Sequence, residues 1–309
     1  MQAAGIESFG GPVVPLEFAE PDELGADEVL VEVRAAGVAN WDEFARLGQW
    51  DLGVRPPMAL GVEAAGVVSR VGPGVKDFRP GDRVSCHSAP LRRQGAWAQR
   101  WVVPERHAAI LPPPVPFAVA AAFAVPALTA EQVVRDAVAV ESGESVLVHG
   151  ASGVTGRLIV QIAALTGARV IGTAGAAGAA RVQQAGAADV LDGRAADVVD
   201  QVLAVNGHKP VDVAINTVPG GATVIIGAVR PGGRLATITS DPPEPSRDIG
   251  VKSVYVAADG RRLEGLLVAL ARGRLDVLVG PTFTLAEAAQ ALARALRGPG
   301  GEAVVLEVS

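Results

Sequence analysis

The run "SVLVHGASGVTGRLIVQIA", residues 145–163, constrains the fold more than any other stretch of this chain. An apolar segment enters a glycine-rich turn and an amphipathic pattern follows at once, so strand, tight turn and helix succeed one another without a linker. Leu158, Ile159, Ile162 and Leu165 recur at helical spacing and predict a stripe that packs on a sheet. The segments that follow repeat the alternation of short apolar runs and helix-length stretches: "RVIGTAG", "ARVQQAGA", "ADVLD", "VDVAINTV" and "RLATITS". Such alternation builds a doubly wound parallel sheet with helices on both faces, an α/β class.

Upstream the texture differs. "EVLVEVRAAGV" alternates apolar and charged residues, the period of a half-buried strand, and "GVEAAGVVSRVGPGV" and "FRPGDRVSCH" read as strands broken by glycine and proline. "ILPPPVPF" at 110–117 continues neither a helix nor a central strand and marks a boundary. The tail segments "TFTLAEAAQALARAL" and "GEAVVLEV" predict a helix and a strand placed to return to the first domain. The expected division is therefore 1–115 with 265–309 as a β-rich domain and 116–264 as the inserted parallel-sheet domain. With 309 residues, 49% of them hydrophobic, the chain has enough apolar material for two cores.

The turn itself tests three chemistries. A nucleophile elbow needs Gly-x-Ser-x-Gly, but Ser152 is followed by Gly153 and Val154. A nucleoside triphosphate loop needs Lys and then Ser or Thr after its last glycine, whereas Gly156 is followed by Arg157 and Leu158. What remains is a cradle for a dinucleotide pyrophosphate, formed by Gly150, Ala151, Ser152, Gly153, Val154, Thr155 and Gly156 at a helix N-terminus. No Asp or Glu occurs between Glu144 and Asp189, so the carboxylate that usually holds the ribose 2'-hydroxyl of NAD is missing and NADPH is favoured. Thr173 and Gly175 are candidate contacts for a 2'-phosphate, and Arg181 is either its cation or a solvated helix residue.

A formal charge of −6 with scattered Lys and Arg excludes a basic stripe for nucleic acid. One cysteine, Cys86, excludes a disulfide framework and fits a reducing compartment, with the cytoplasm as the expected location. No signal-peptide pattern and no long uncharged apolar window appears, so no membrane partner is expected.

The blocks "GVEAAGVVSRVGPGVKDFRPGDRV", "ALTAEQVV", "GESVLVHGASGVTG", "GARVIGT" and "RPGGRLATI" together resemble the zinc-independent branch of the medium-chain dehydrogenase/reductase superfamily, the quinone oxidoreductase-like and enoyl reductase-like proteins. The resemblance implies a Rossmann domain inserted in a GroES-like β-rich domain, a homodimer joined through "VKSVYVA", and hydride transfer from NADPH to a quinone or an α,β-unsaturated carbonyl compound. It also implies that no metal is bound. Ala39, Asn40 and Val62 stand where zinc-binding relatives carry ligands, and only Asp42 and Glu63 of those blocks are retained.

This sequence also departs from the branch. The usual Asn falls at Ala39, with Asn40 one place later; Trp50 replaces a common Tyr; Ala179 replaces a common Lys. A non-redox enzyme such as a cyclase or lyase, or a ligand-binding protein on the same fold, therefore stays open as the alternative. Candidate residues at the reaction centre are Asn40, Trp41, Arg46 and Trp50 in "NWDEFARLGQW", with Thr129 in "PALTA" placed by the resemblance near the nicotinamide. Trp41 and Trp50 either wall a planar acceptor or fill the core, and Arg46 either orients an acidic substrate or pairs with Asp42 or Glu43. His87 is a minor proton-donor candidate, and the loop "SCHSAPLRRQGAW" reads as a lid or a surface loop.

Overall fold

The computed structural model describes residues 1–298 and 300–309. The chain divides into two compact units, Met1–Leu128 with Ala257–Ser309, and Thr129–Val256.

The first unit is built on strands β1 (Gln2–Ile6), β2 (Val14–Glu17), β3 (Glu28–Val38), β4 (Met58–Ala59), β5 (Glu63–Val71), β6 (Arg83–His87), β7 (Arg100–Pro104) and β8 (Ala108–Ile110). A small sheet has the order β2-β1-β4, and β3 lies at the centre of a larger one, paired with both β5 and β7. The alternation seen in β3 puts Val29, Val31 and Val33 into the core, where Trp97 and Trp101 are also fully buried. Helix α1 (Asn40–Arg46) follows β3 directly, and α2 (Phe117–Ala121) covers the sheet.

The second unit starts within α3 (Ala124–Gln132) and carries β9 (Ser145–His149), α4 (Val154–Leu165), β10 (Arg169–Thr173), α5 (Ala176–Gln184), β11 (Asp189–Leu191), α6 (Val198–Val205), β12 (Val211–Asn216), α7 (Gly221–Ile225), β13 (Val229–Thr237) and β14 (Gly250–Ser253). Its strands are all parallel, in the order β11-β10-β9-β12-β13-β14, which is the order of a dinucleotide-binding sheet. Leu147, Ile171, Val211, Ala214 and Leu235 form a dry core between the layers. Of the predicted stripe on α4, Leu158, Ile159 and Ile162 are buried, while Leu165, the last residue of the helix, is 58% exposed.

The chain then returns to the first unit with α8 (Gly260–Ala271), β15 (Val279–Thr284), α9 (Ala288–Leu296) and β16 (Ala303–Glu307), and β16 pairs with β3. The division falls after Leu128 and Val256 rather than after 115 and 264. Hydrogen bonds explain the first shift: Ser85 Oγ donates to the Ala120 carbonyl at 3.1 Å, and the Val125 N–H donates to Glu63 Oε2 at 2.7 Å. Close packing explains the second, since a Cβ on Gly260 would overlap the Ala108 carbonyl.

Candidate functional site

Strand register assembles the site in the second unit. His149 pairs with Asn216, Asn216 with Thr237, and Thr237 with Ser253, while Thr173 ends the strand on the other side of β9. Five of the six parallel strands thus end in a polar residue at the carboxyl edge of the sheet, β11 ending in Leu191. Strand order reverses at β9, between β10 and β12, which is where open α/β sheets bind their ligands.

The glycine-rich turn occupies that point. Gly150 has φ +82°, a left-handed conformation, and a Cβ there would overlap Thr217 Oγ1 and Val218 Cγ2. A Cβ on Gly156 would overlap the Gly150 carbonyl, so the first turn of α4 lies directly against the strand end. Gly153 caps α4 with extended dihedrals and no side-chain hydrogen bond. The N–H groups of Val154, Thr155 and Gly156 in the first turn therefore have no capping side chain, and they fit an anionic pyrophosphate.

Thr173 departs from its expected role. Its hydroxyl accepts the Gly150 N–H at 3.0 Å and meets His149 Nδ1 at 2.9 Å, and its carbonyl takes the Ala151 N–H at 2.9 Å. The side chain is buried and fully engaged in shaping the turn, which removes it from the 2'-phosphate contacts. Burial lowers the pKa of His149. Gly175 caps α5 at an exposed position, and Arg181 lies half-buried on the same helix.

In the first unit, α1 brings Asn40, Trp41 and Arg46 together, with Trp50 just beyond its end. Asn40 is exposed and Trp41 and Trp50 are half-buried, in contrast to the sealed Trp97 and Trp101. Trp41 Nε1 is buried without a hydrogen-bond partner. Arg46 does not orient an acidic substrate: Nε and Nη2 bond Glu43 at 2.7 Å each, and Nη1 donates to the Gly10 carbonyl at 2.8 Å and to that of Gly11. Its guanidinium clasps α1 to the loop after β1. Thr129 is buried on α3.

The expectation for His87 is corrected by burial. His87 is fully buried, its Nδ1–H donates to the Val62 carbonyl at 3.0 Å, and desolvation lowers its pKa to about 4, so it is a neutral core residue and not a proton donor. The neighbouring Cys86 is fully buried too, and its thiol is pushed up by desolvation. The loop expected as a lid is fastened down, with the Leu91 N–H on the Leu52 carbonyl and the Ala59 N–H on Gln94 Oε1, both at 2.8 Å.

Asp42 and Glu63 form a buried acidic pair. Asp42, third residue of α1, reaches back to the Ala39 N–H at 2.9 Å. Desolvation raises its pKa to about 7 against the pull of the Ala39 and Gly61 N–H groups. Desolvation likewise raises Glu63 well above the carboxylate range, with Asp42 adding repulsion. Among the described residues no group of three or more His, Cys, Asp or Glu is gathered as a metal-ligand set.

Sequence reasoning missed Asn216, Thr237, Thr239 and Asp241, which are joined by hydrogen bonds at the carboxyl edge, and Thr217, whose hydroxyl donates to the His149 carbonyl there. The signal was present, since "AINT" and "TITSD" each place polar residues at the end of a predicted parallel strand.

Comparison with known proteins adds three findings. Residues 25–113 match the alcohol dehydrogenase GroES-like domain and residues 154–276 the zinc-binding dehydrogenase domain. A quinone oxidoreductase of Rattus norvegicus is 30% identical over 316 residues, spanning 94% of this chain and 92% of that protein. Among solved structures, an NAD-dependent alcohol dehydrogenase superposes with a TM-score of 0.90 at 29% identity, covering 100% of both chains. The Escherichia coli quinone oxidoreductase complexed with NADPH superposes at 0.86 with 26% identity, covering 99% of this chain and 100% of that one.

Proposed function

The chain belongs to the medium-chain dehydrogenase/reductase superfamily of oxidoreductases, and on that premise we propose that it is a zinc-independent, NADPH-dependent reductase acting on a quinone or an α,β-unsaturated carbonyl compound. The observation that carries the proposal is the uncapped turn at 150–156, placed where strand order reverses and followed by a second strand with no carboxylate at its end. The NADPH complex of the Escherichia coli relative supports the same cofactor.

When bound, the dinucleotide supplies the hydride. The N–H groups of the first turn of α4 would hold its pyrophosphate, and Gly175 and Arg181 are the residues that would receive a 2'-phosphate. In the first unit, Trp41 and Trp50 would offer flat apolar faces to a planar acceptor and the exposed Asn40 amide a donor for its carbonyl; in the second unit, Thr129 is the residue that the family resemblance assigns to the nicotinamide. The proton comes from solvent, because His87 and Cys86 are sealed in the core. Zinc is not required, since Ala39 and Val62 carry no ligand atom and the retained Asp42 and Glu63 are each bonded to backbone N–H groups.

The proposal includes a homodimer joined through the unpaired edge of β14, where Tyr255 is 74% exposed, and a cytoplasmic location. No helix among the described residues is long and apolar enough to cross a membrane. Calorimetric titration with NADPH tests the reading. Saturable binding is expected, and its absence up to about 1 mM overturns the reductase in favour of a non-redox or ligand-binding protein. Oxidation of NADPH in the presence of a panel of quinones and enones then identifies the acceptor class.

A further inference from the structure

We propose that Asp241 is a positioning residue for the dinucleotide site: it locks together the loops that follow β12 and β13 and, through Thr217 and Val218, holds the Gly150 turn in its binding shape. The inference rests on the cofactor reading above and extends it to a residue outside the glycine-rich turn.

The Asp241 carboxylate is surrounded by donors. Oδ2 accepts the Gly220 N–H, and Oδ1 accepts the Thr239 hydroxyl and, at 3.1 Å, that of Thr237. Burial alone would raise its pKa, but the hydrogen bonds from Thr239, Gly220 and Thr237 outweigh it and lower the value, so the group is ionised at neutral pH. An ionised carboxylate donates nothing, so it accepts from the two threonine hydroxyls, which also meet each other at 2.8 Å. The Asn216 amide joins this cluster, its Nδ2 lying 3.0 Å from Thr237 Oγ1 and 3.1 Å from Thr239 Oγ1.

Asn216 carries the order on toward the turn. It is fully buried, its Nδ2 also donates to the Val218 carbonyl at 2.9 Å, and its Oδ1 accepts the Val218 N–H at 3.2 Å. Thr217 in turn bonds the strand end, Oγ1 donating to the His149 carbonyl at 2.9 Å and the Gly150 carbonyl at 3.1 Å. Thr217 and Val218 press on Gly150 so closely that no Cβ fits there. The path from Asp241 through Thr237, Thr239, Asn216 and Val218 is thus a continuous chain of hydrogen bonds ending in a packed contact with Gly150.

The test uses Asp241→Ala, Asp241→Asn and, as a control on the same loop, the exposed Glu244→Ala. In the ligand-free protein, Asp241→Ala is expected to speed amide exchange in peptides covering 149–156 and 217–221, while Glu244→Ala leaves both unchanged. With NADPH, Asp241→Ala is expected to raise Kd and the KM for NADPH about tenfold with kcat within about twofold of the parent, and Asp241→Asn, which keeps an acceptor oxygen, to fall between. Unchanged exchange at 149–156 in Asp241→Ala overturns the proposal, and so does an equal loss of affinity in Glu244→Ala. If the parent protein binds no NADPH, the reductase reading fails, and the exchange measurement still decides whether Asp241 holds the turn.

Discussion

Asp42 shows how much one buried carboxyl group can weigh. It is bonded only to backbone N–H groups, and its folded pKa of about 7 stands above the ordinary 3.8. The unfolded chain releases this proton as pH rises through 3.8, whereas the folded protein keeps it until about 7. The stability tied to it is therefore complete below 3.8 and lost by pH 7. Asp42→Asn keeps the shape and an acceptor for the Ala39 N–H but never ionises. At pH 8 the variant is expected to be more stable than the parent by up to about 4 kcal/mol, the free energy of a shift of about three pKa units, and at pH 4 the two should nearly coincide. Urea denaturation at both pH values measures this, and a gain independent of pH would contradict it. The residue scale is also where the sequence was least legible. Four tryptophans look alike as letters, yet Trp97 and Trp101 fill the core while Trp41 and Trp50 stay partly open. Thr173 looked like a phosphate contact because nothing in the letters shows that its hydroxyl is already used by Gly150 and His149.

At the scale of elements the letters carried further. The period-two pattern of β3, the uninterrupted apolar runs of β9, β10 and β12, and the stripe of α4 are products of local sterics and one-sided burial, which a single sequence records. Domain boundaries were displaced because α2, the start of α3 and the start of α8 are claimed by long-range contacts, with Ser85, Glu63 and the Ala108 carbonyl respectively. The edge strand β14 carries a prediction of its own. The Val254 N–H bonds the Thr237 carbonyl at 2.9 Å, so by the two-residue alternation of a strand the Ser253 N–H points away from β13. Ser253→Pro therefore removes a donor from the free edge without breaking the ladder inside the sheet. If a second copy pairs with β14, this variant should elute at half the parent's mass in light-scattering chromatography with unchanged far-ultraviolet circular dichroism. A parent that is itself monomeric would remove the dimer from the proposal.

For the molecule as a whole, the discriminating question is whether a chain of net charge −6 takes the more highly charged of two nicotinamide cofactors, as proposed above. The overall field opposes both, but salt screens it over roughly 8 Å under physiological conditions, so the choice is made by groups near the ribose. No carboxylate lies between Glu144 and Asp189, α5 opens at Gly175 without a side-chain cap, and Arg181 sits on that helix. NADPH is accordingly expected to bind about tenfold or more tightly than NADH, with Arg181→Ala lowering the ratio toward one. Thermal unfolding reads the same preference without an acceptor. At a hundred times its Kd a ligand specific for the folded state adds about 2.7 kcal/mol, so NADPH should raise Tm at concentrations where NADH does not. A chelator should change neither the melting curve nor the NADPH shift, because the positions that carry zinc ligands in relatives hold Ala39, Asn40 and Val62 here. A Tm lowered by the chelator would reveal a metal in the fold, and equal shifts with NADPH and NADH would show that the missing carboxylate is not what sets cofactor choice.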